Sequence, residues 1–312
     1  MSDKAPNKRL RRQGIRLAAA LCLTGTLIPV SAGGAGFLDS FGGIRETTSY
    51  RATYEDTLLD VARRFKLGYV EIVAANPGTD PWIPGEGTNV VLPTVHLLPD
   101  AAHEGIIINL ADMRLYYFAK PDGPVETFPI GIGRDGLTTP LGSTEIMRKQ
   151  KDPIWRPTPR MRAENPELPE AVLPGPDNPL GHRAMYLGWS QYLIHGTNKP
   201  LGIGRRASSG CVRMYPEDIE YLFDQIAIGT KVTVVDQPIK LSWIDDALYI
   251  EAHPTQAQSD QIEATGKFDP ILDSRVVDQV LAVAGAQAPR LDWSRIREAT
   301  IERRGYPIRV TR

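Results

Sequence analysis

Apolar and polar positions along this 312-residue chain change rhythm several times, and each change marks a different kind of segment. An apolar run from Leu17 to Val30 follows Lys8, Arg9, Arg11, Arg12 and Arg16 and precedes Ser31-Ala32-Gly33-Gly34. Basic start, apolar middle and small residues predict an export signal over 1–32. The run falls short of the roughly twenty residues of a membrane span, so an uncleaved anchor is the weaker alternative. Residues 33–48 read as a linker rich in small residues. Residues 49–95 then form a compact strand–helix–helix–strand unit. Tyr50 to Tyr54 suits a short strand. Thr57-Leu58-Leu59-Asp60 is a capping-box start for a helix whose apolar face is Leu58, Val61, Ala62 and Phe65, with Gly68 as its stop. Tyr69 to Ala75 reads as a second helix ended by Asn76-Pro77-Gly78, and Asn89 to Leu92 as the closing strand.

From Gly105 the period becomes that of strands. Ile106 to Leu110 and Arg114 to Phe118 form a hairpin across Ala111-Asp112-Met113. Val125–Ile132, Ser143–Arg148, Gly181–Trp189, Tyr192–His195 and Lys231–Val235 extend a mostly β domain of mixed sheets over 104–236. One prominent helix interrupts it, with Pro216 at its first turn and Ile219, Leu222, Phe223 and Ile226 on one face. Tyr215 stands in its capping position and is a poor cap. Eight prolines lie between Lys151 and Pro179. That stretch is expected to hold no regular element, and composition fits a lid or binding loop as well as a solvated insertion. Residues 237–312 read as a C-terminal α/β appendage. Its expected elements are a helix opened by Asp269-Pro270 and running to Val283, a helix within Arg290–Arg304, and a strand over Tyr306–Val310.

Charge narrows the partners. Removing 1–32 takes six basic and one acidic side chains, turning 36 basic against 37 acidic into 30 against 36. No concentrated basic footprint of a nucleic-acid binder appears. His96, His103, His182 and His253 are scattered without metal-ligand spacing.

Cys22 lies within the signal, which leaves Cys211 as the one cysteine of the mature chain. A lone thiol in an exported protein cannot close an internal disulfide, and His195 stands sixteen residues upstream. Cysteine with histidine is the pair nucleophilic catalysis uses, because a thiolate needs a neighbour that takes its proton. A buried cysteine acting as a small hydrophobe is the other reading. Gly210 allows a sharp turn before Cys211 and is expected to leave amide N–H groups free for an oxyanion. Thr197, Asn198 and Arg213 are candidate substrate contacts. Arg213 could pair with a donor carboxylate or make a surface salt bridge.

The 49–95 unit resembles a LysM module, through Tyr50-Arg51-Ala52-Thr53-Tyr54, Asp60 to Phe65, Ala75-Asn76-Pro77 and Val91-Leu92-Pro93. That resemblance implies binding to N-acetylglucosamine-containing glycan strands. A small scaffold without ligand remains the other reading. The 104–236 region resembles the L,D-transpeptidase family, the YkuD-type catalytic domain. The carriers are Ile132-Gly133, Thr139-Pro140-Leu141-Gly142-Ser143, Gly175 to Gly181, Ile194-His195-Gly196-Thr197-Asn198, and Ser208-Ser209-Gly210-Cys211-Val212-Arg213-Met214. The order of modules and the proline-rich loop look most like Gram-negative periplasmic members. Ser209 stands where the family's Ser-His-Gly-Cys signature has histidine. The family's pairing base matches His195, so the nucleophile–base pair is expected to survive.

The resemblance implies acyl transfer on peptidoglycan stem peptides, a chemistry that needs neither metal nor organic cofactor. Cys211 attacks the diaminopimelate–D-alanine bond, and an amine of another stem or a lysine of an outer-membrane lipoprotein resolves the thioester. Hydrolysis of the same acyl-enzyme and a binding-only protein are the alternatives.

Overall fold

The computed structural model describes residues 37–39, 47–271 and 273–312; the expected signal and most of the linker lie outside these. Strands β1 (Phe37–Asp39) and β2 (Thr48–Arg51) lead into α1 (Leu58–Arg64), α2 (Tyr69–Ala75), β3 (Asn89–Leu92) and β4 (Val95–Leu97). β1 pairs with β4 and β2 with β3, both antiparallel. The capping box forms as read: Thr57 Oγ1 accepts from the Asp60 amide and Asp60 Oδ2 from the Thr57 amide. β2 ends earlier than its sequence suggests. Asp56 Oδ2 accepts from the Thr53 amide, the Thr53 hydroxyl and the Tyr50 hydroxyl, which curls the chain out of the strand.

The central sheet contains β5 (Gly105–Asn109), β6 (Arg114–Phe118), β7 (Val125–Gly133), β8 (Gly142–Lys151), β9 (Arg183–Leu187), β10 (Leu193–His195), β11 (Arg206–Ser208), β12 (Val212–Met214) and β13 (Lys231–Val235). The order is β11-β7-β12-β10-β9-β8-β13-β5-β6, and β6 also pairs with β7, closing the sheet on itself. Closure removes most of the edge that an open sheet leaves unpaired. It is mixed: β10–β12, β11–β7 and β13–β5 run parallel. Ile106, Ile107 and Ile108 are all fully buried, so both faces of β5 are covered. Within the proline-rich stretch, α3 (Pro159–Glu164) is a short helix that the sequence reading excluded. Thr158 caps it, accepting from the Met161 amide, and Pro159 occupies its first position, where a missing N–H costs nothing.

Helix α4 (Pro216–Gln225) begins as expected, and Tyr215 makes no side-chain cap. The tyrosine serves a different contact: its hydroxyl donates to the Leu67 carbonyl and Arg63 lies over its ring. Arg63 also makes two hydrogen bonds of 3.1 Å to Glu217. The βααβ unit thus docks on the closed sheet, and their apolar side chains form one core. The first amides of α2 donate across this junction, Tyr69 N to Ile203 O and Val70 N to Gly204 O. Gly204 has φ +72°, and a β-carbon there would stand 2.2 Å from Gly68 Cα.

The C-terminal region has β14 (Ile239–Ile244), β15 (Ala247–Ala252), α5 (Gln256–Thr265), α6 (Arg275–Ala284), α7 (Trp293–Glu302) and β16 (Ile308–Arg309), with a sheet ordered β14-β15-β16. The expected helix start at Asp269-Pro270 is not used. Asp269 is tied to α5, its amide donating to Gln261 and its carbonyl accepting from Gln258, so α6 begins only at Arg275.

Candidate active site

The parallel pairing of β10 with β12 places Ile194 opposite Val212 and His195 opposite Arg213. Alternation turns Ile194 and Val212, both fully buried, toward the core. His195, Arg213 and Cys211, which directly precedes β12, therefore share the other face. Neighbouring strands lie about 4.8 Å apart and two residues advance about 6.7 Å, so His195 and Cys211 are diagonal neighbours with α-carbons about 8 Å apart. Side chains of these sizes can meet across that gap.

The residues between set the detail. Ser208 Oγ donates to the Cys211 carbonyl at 2.5 Å and accepts from the Gly210 amide at 3.1 Å. Gly210 adopts φ +106°, and its carbonyl accepts from Thr139 Oγ1 at 2.9 Å. Its amide is therefore engaged, which corrects the expectation that it stays free for an oxyanion. Ser208 and Thr139 hold the turn that leads into Cys211, a role their positions in the motifs did not disclose.

Cys211 is only partly shielded from solvent, although protein surrounds the sulfur on most sides, and Sγ donates to the Gln191 carbonyl at 3.4 Å. Burial pushes its thiol up, while a backbone contact from Leu193 and the charge of Arg213 pull it back. His195 is buried, and burial first, then Arg213, lower it to about 4. Its Nδ1 lies 2.5 Å from the Gly196 carbonyl oxygen. A carbonyl only accepts, so Nδ1 carries hydrogen and Nε2 holds the free lone pair. The site thus sets a neutral thiol just before β12 against a neutral imidazole at the end of β10.

Cys211 and Ser209 border a cavity of about 550 Å³. Ile154, Trp155, Arg156, Thr158, Arg160 and Met161 of the proline-rich stretch form another side of it, so that stretch lines the same cavity as Cys211. Asn178, fully buried, latches it: Nδ2 donates to the carbonyls of Pro153, Val172 and Leu173, and Oδ1 accepts from the Leu180 amide. Trp155 and Val172 exchange two backbone hydrogen bonds inside it.

Thr197, Asn198 and Arg213 are absent from the cavity wall. Thr197 is buried with Oγ1 accepting from the Lys199 amide, and Asn198 donates to the Asp177 carbonyl. Both make their hydrogen bonds within the loops next to the latch. Arg213 is half-buried, its Nε has no hydrogen-bond partner, and it makes no salt bridge among the described residues. The surface salt bridge considered for it does not form.

Residues 103–234 match the family model of the YkuD L,D-transpeptidase catalytic domain. The chain is 41% identical over 255 residues to the protein of Escherichia coli K12 named probable L,D-transpeptidase YbiS, covering 80% of this chain and 81% of that one. The chain belongs to the L,D-transpeptidase family. It is 38% identical, over 80% of its length and 81% of the relative's, to the Salmonella typhimurium protein named probable L,D-transpeptidase ErfK/SrfK. Its activity is cysteine-based acyl transfer on peptidoglycan stems.

One further cluster escaped the sequence reading in this L,D-transpeptidase. Asp112, Glu251 and His253, distant in sequence, bring ligand-type atoms within 4.8 Å of one another. Lys240 stands in their midst, its ammonium 2.9 Å from Asp112 and 2.8 Å from Glu251. Burial pushes Glu251 up, but Lys240 and the two histidines outweigh it and hold the carboxyl well below its ordinary range. His96, fully buried, lies 3.5 Å from Glu71 and 3.6 Å from Glu251, and Glu71 pairs with buried Arg114 at 2.9 Å. The position a cation could take is filled by the lysine.

Proposed function

We propose that Cys211 is the nucleophile and His195 the base, acting on the bond between diaminopimelate and the terminal D-alanine of a tetrapeptide stem. What supports this reading is the β10–β12 register, which makes His195 and Cys211 diagonal neighbours, together with the cavity that Cys211 borders. The thiol proton passes to Nε2 of His195 as Sγ attacks the carbonyl carbon. A C–S bond forms, the C–N bond to D-alanine breaks, and the proton on His195 goes to the departing amine. The thioester is then resolved by an amine, either diaminopimelate of a second stem, giving a 3–3 cross-link, or a lysine of an outer-membrane lipoprotein. Arg213 does not reach the cavity and acts on the pair, favouring negative charge on the sulfur. Ser209 leaves the pair intact.

The βααβ unit supplies the glycan grip of a LysM module. Its β2–α1 and α2–β3 loops are joined by a hydrogen bond from Leu58 N to Pro81 O and expose Tyr54 and Trp82, flat rings of the kind sugars stack on. The setting is the periplasm, reached through the signal at 1–32.

The test incubates the protein with disaccharide-tetrapeptides, with and without a lysine-bearing lipoprotein peptide, and weighs the products. Dimers or peptide adducts are expected. Tripeptide alone means water resolves the thioester, and unchanged substrate with no thioester on the protein leaves only binding. Cys211→Ser is expected to abolish product and keep glycan retention; a fully active variant refutes the assignment.

A further inference from the structure

The cavity beside Cys211 has a charge imbalance that the transfer chemistry does not use. Arg156 and Arg160 are its charged wall residues, and no carboxylate joins them there. Arg160 is already matched, 2.6 Å from Glu164 one helical turn on. Arg156 makes no ion pair or hydrogen bond among the described residues, and it is exposed.

Its backbone, unlike its side chain, is firmly placed. Trp155 on one side is clamped to Val172 by two hydrogen bonds of 2.9 and 3.0 Å. Pro157 on the other side is buried, and Thr158 caps α3 directly after it. The Asn178 latch closes the base of the same stretch. A guanidinium is thus offered from a fixed point on the cover, opposite the nucleophile. Its fork of donors matches a carboxylate in two parallel hydrogen bonds.

We propose that Arg156 reads the free carboxylate at the far end of the diaminopimelate side chain, selecting donors that carry it. This rests on the stem-peptide reading above. The reacting carbonyl must sit at Cys211, so carboxylates next to it stay at the sulfur. The side-chain carboxylate is the one that extends away from the chain toward the cover. Arg156 is a specificity residue: it adds affinity for the donor without touching the reacting bond.

The experiment compares two tetrapeptide donors, one with the diaminopimelate carboxylate free and one with it amidated, for the wild-type protein, Arg156→Gln and Arg156→Lys. The wild-type protein is expected to favour the free acid. Arg156→Gln is expected to raise KM for the free acid by roughly ten- to a hundredfold, the range for a hydrogen bond to a charged group, with kcat little changed. The amidated donor should respond within about twofold, and Arg156→Lys should fall between. Equal losses on both donors would mean that Arg156 only supports the cover, and no change on the free acid would mean that it faces no carboxylate; either overturns the proposal. A wild-type protein that turns over neither donor overturns the stem-peptide reading itself, and this inference with it.

Discussion

His195 is held neutral by its surroundings, and that has a consequence for folding. Unfolded, an ordinary histidine takes up a proton near pH 6.5, whereas here it does so only near 4. Between those values the unfolded chain binds a proton that the folded chain refuses, so lowering the pH favours unfolding. The contribution is fully present above pH 6.5 and is lost as pH falls through the window, on the order of 3 kcal/mol by pH 4. Urea unfolding at pH 7, 5 and 4 is expected to show that loss and to show less of it for His195→Gln. The acid limb of kcat/KM should likewise lie near pH 4, not 6.5. Asn178 is the second decisive side chain. Asn178→Ala takes from the Pro153 and Leu173 carbonyls and the Leu180 amide the partner that Asn178 supplies, while the Val172 carbonyl keeps the Trp155 amide, and a buried group so stranded costs about 1–3 kcal/mol. Faster protease cleavage within 153–174, with kcat/KM reduced while Cys211 alkylation persists, is the expected outcome.

Among elements, the turn from Ser208 to Cys211 is the most constrained. Gly210 is left-handed, and a β-carbon on it would stand 2.8 Å from Tyr192 Cε1. Gly210→Ala combines backbone strain with that clash, at a cost of about 1–3 kcal/mol. It should lower kcat at least tenfold, measured by single-turnover thioester formation. The turn's glycine, and the strand and histidine that flank it, could be read from sequence because φ freedom and period-two alternation are local properties. Its bond to Thr139 could not, since that residue lies far off in sequence and only the fold brings it to Gly210. The same division holds elsewhere. The Thr57 capping box spans four residues and was readable; the start of α6 was not, because Asp269 is claimed by α5. The β14–β15 turn hid in Asp245-Asp246, both at positive φ without a glycine to signal it.

Across the whole described chain, charge is buried along the line where three parts meet. Asp112 belongs to the β5–β6 turn, Arg114 to β6, Glu71 to α2, and Lys240 and Glu251 to the C-terminal hairpin. Breaking one partner of such a group leaves others desolvated and unpaired, at a cost of about 3–5 kcal/mol. Lys240→Met is expected to lose that much in denaturant melts, with the urea midpoint falling and the m-value unchanged if the parts still unfold together. No stretch of sequence announces this junction. Each member looks like an ordinary surface charge until the fold assembles them.

At Gly68 and Gly204 two main chains touch with no side chain between them, which leaves no hinge at that point. Under the glycan-binding reading proposed above, a unit mounted this way has no room to swivel. On that same proposal, settling on a sugar strand would set the sulfur at one distance and bearing, and peptides that project at other angles would pass out of reach. The spacing of the finished bonds along the wall would then be ruled by the enzyme's own frame.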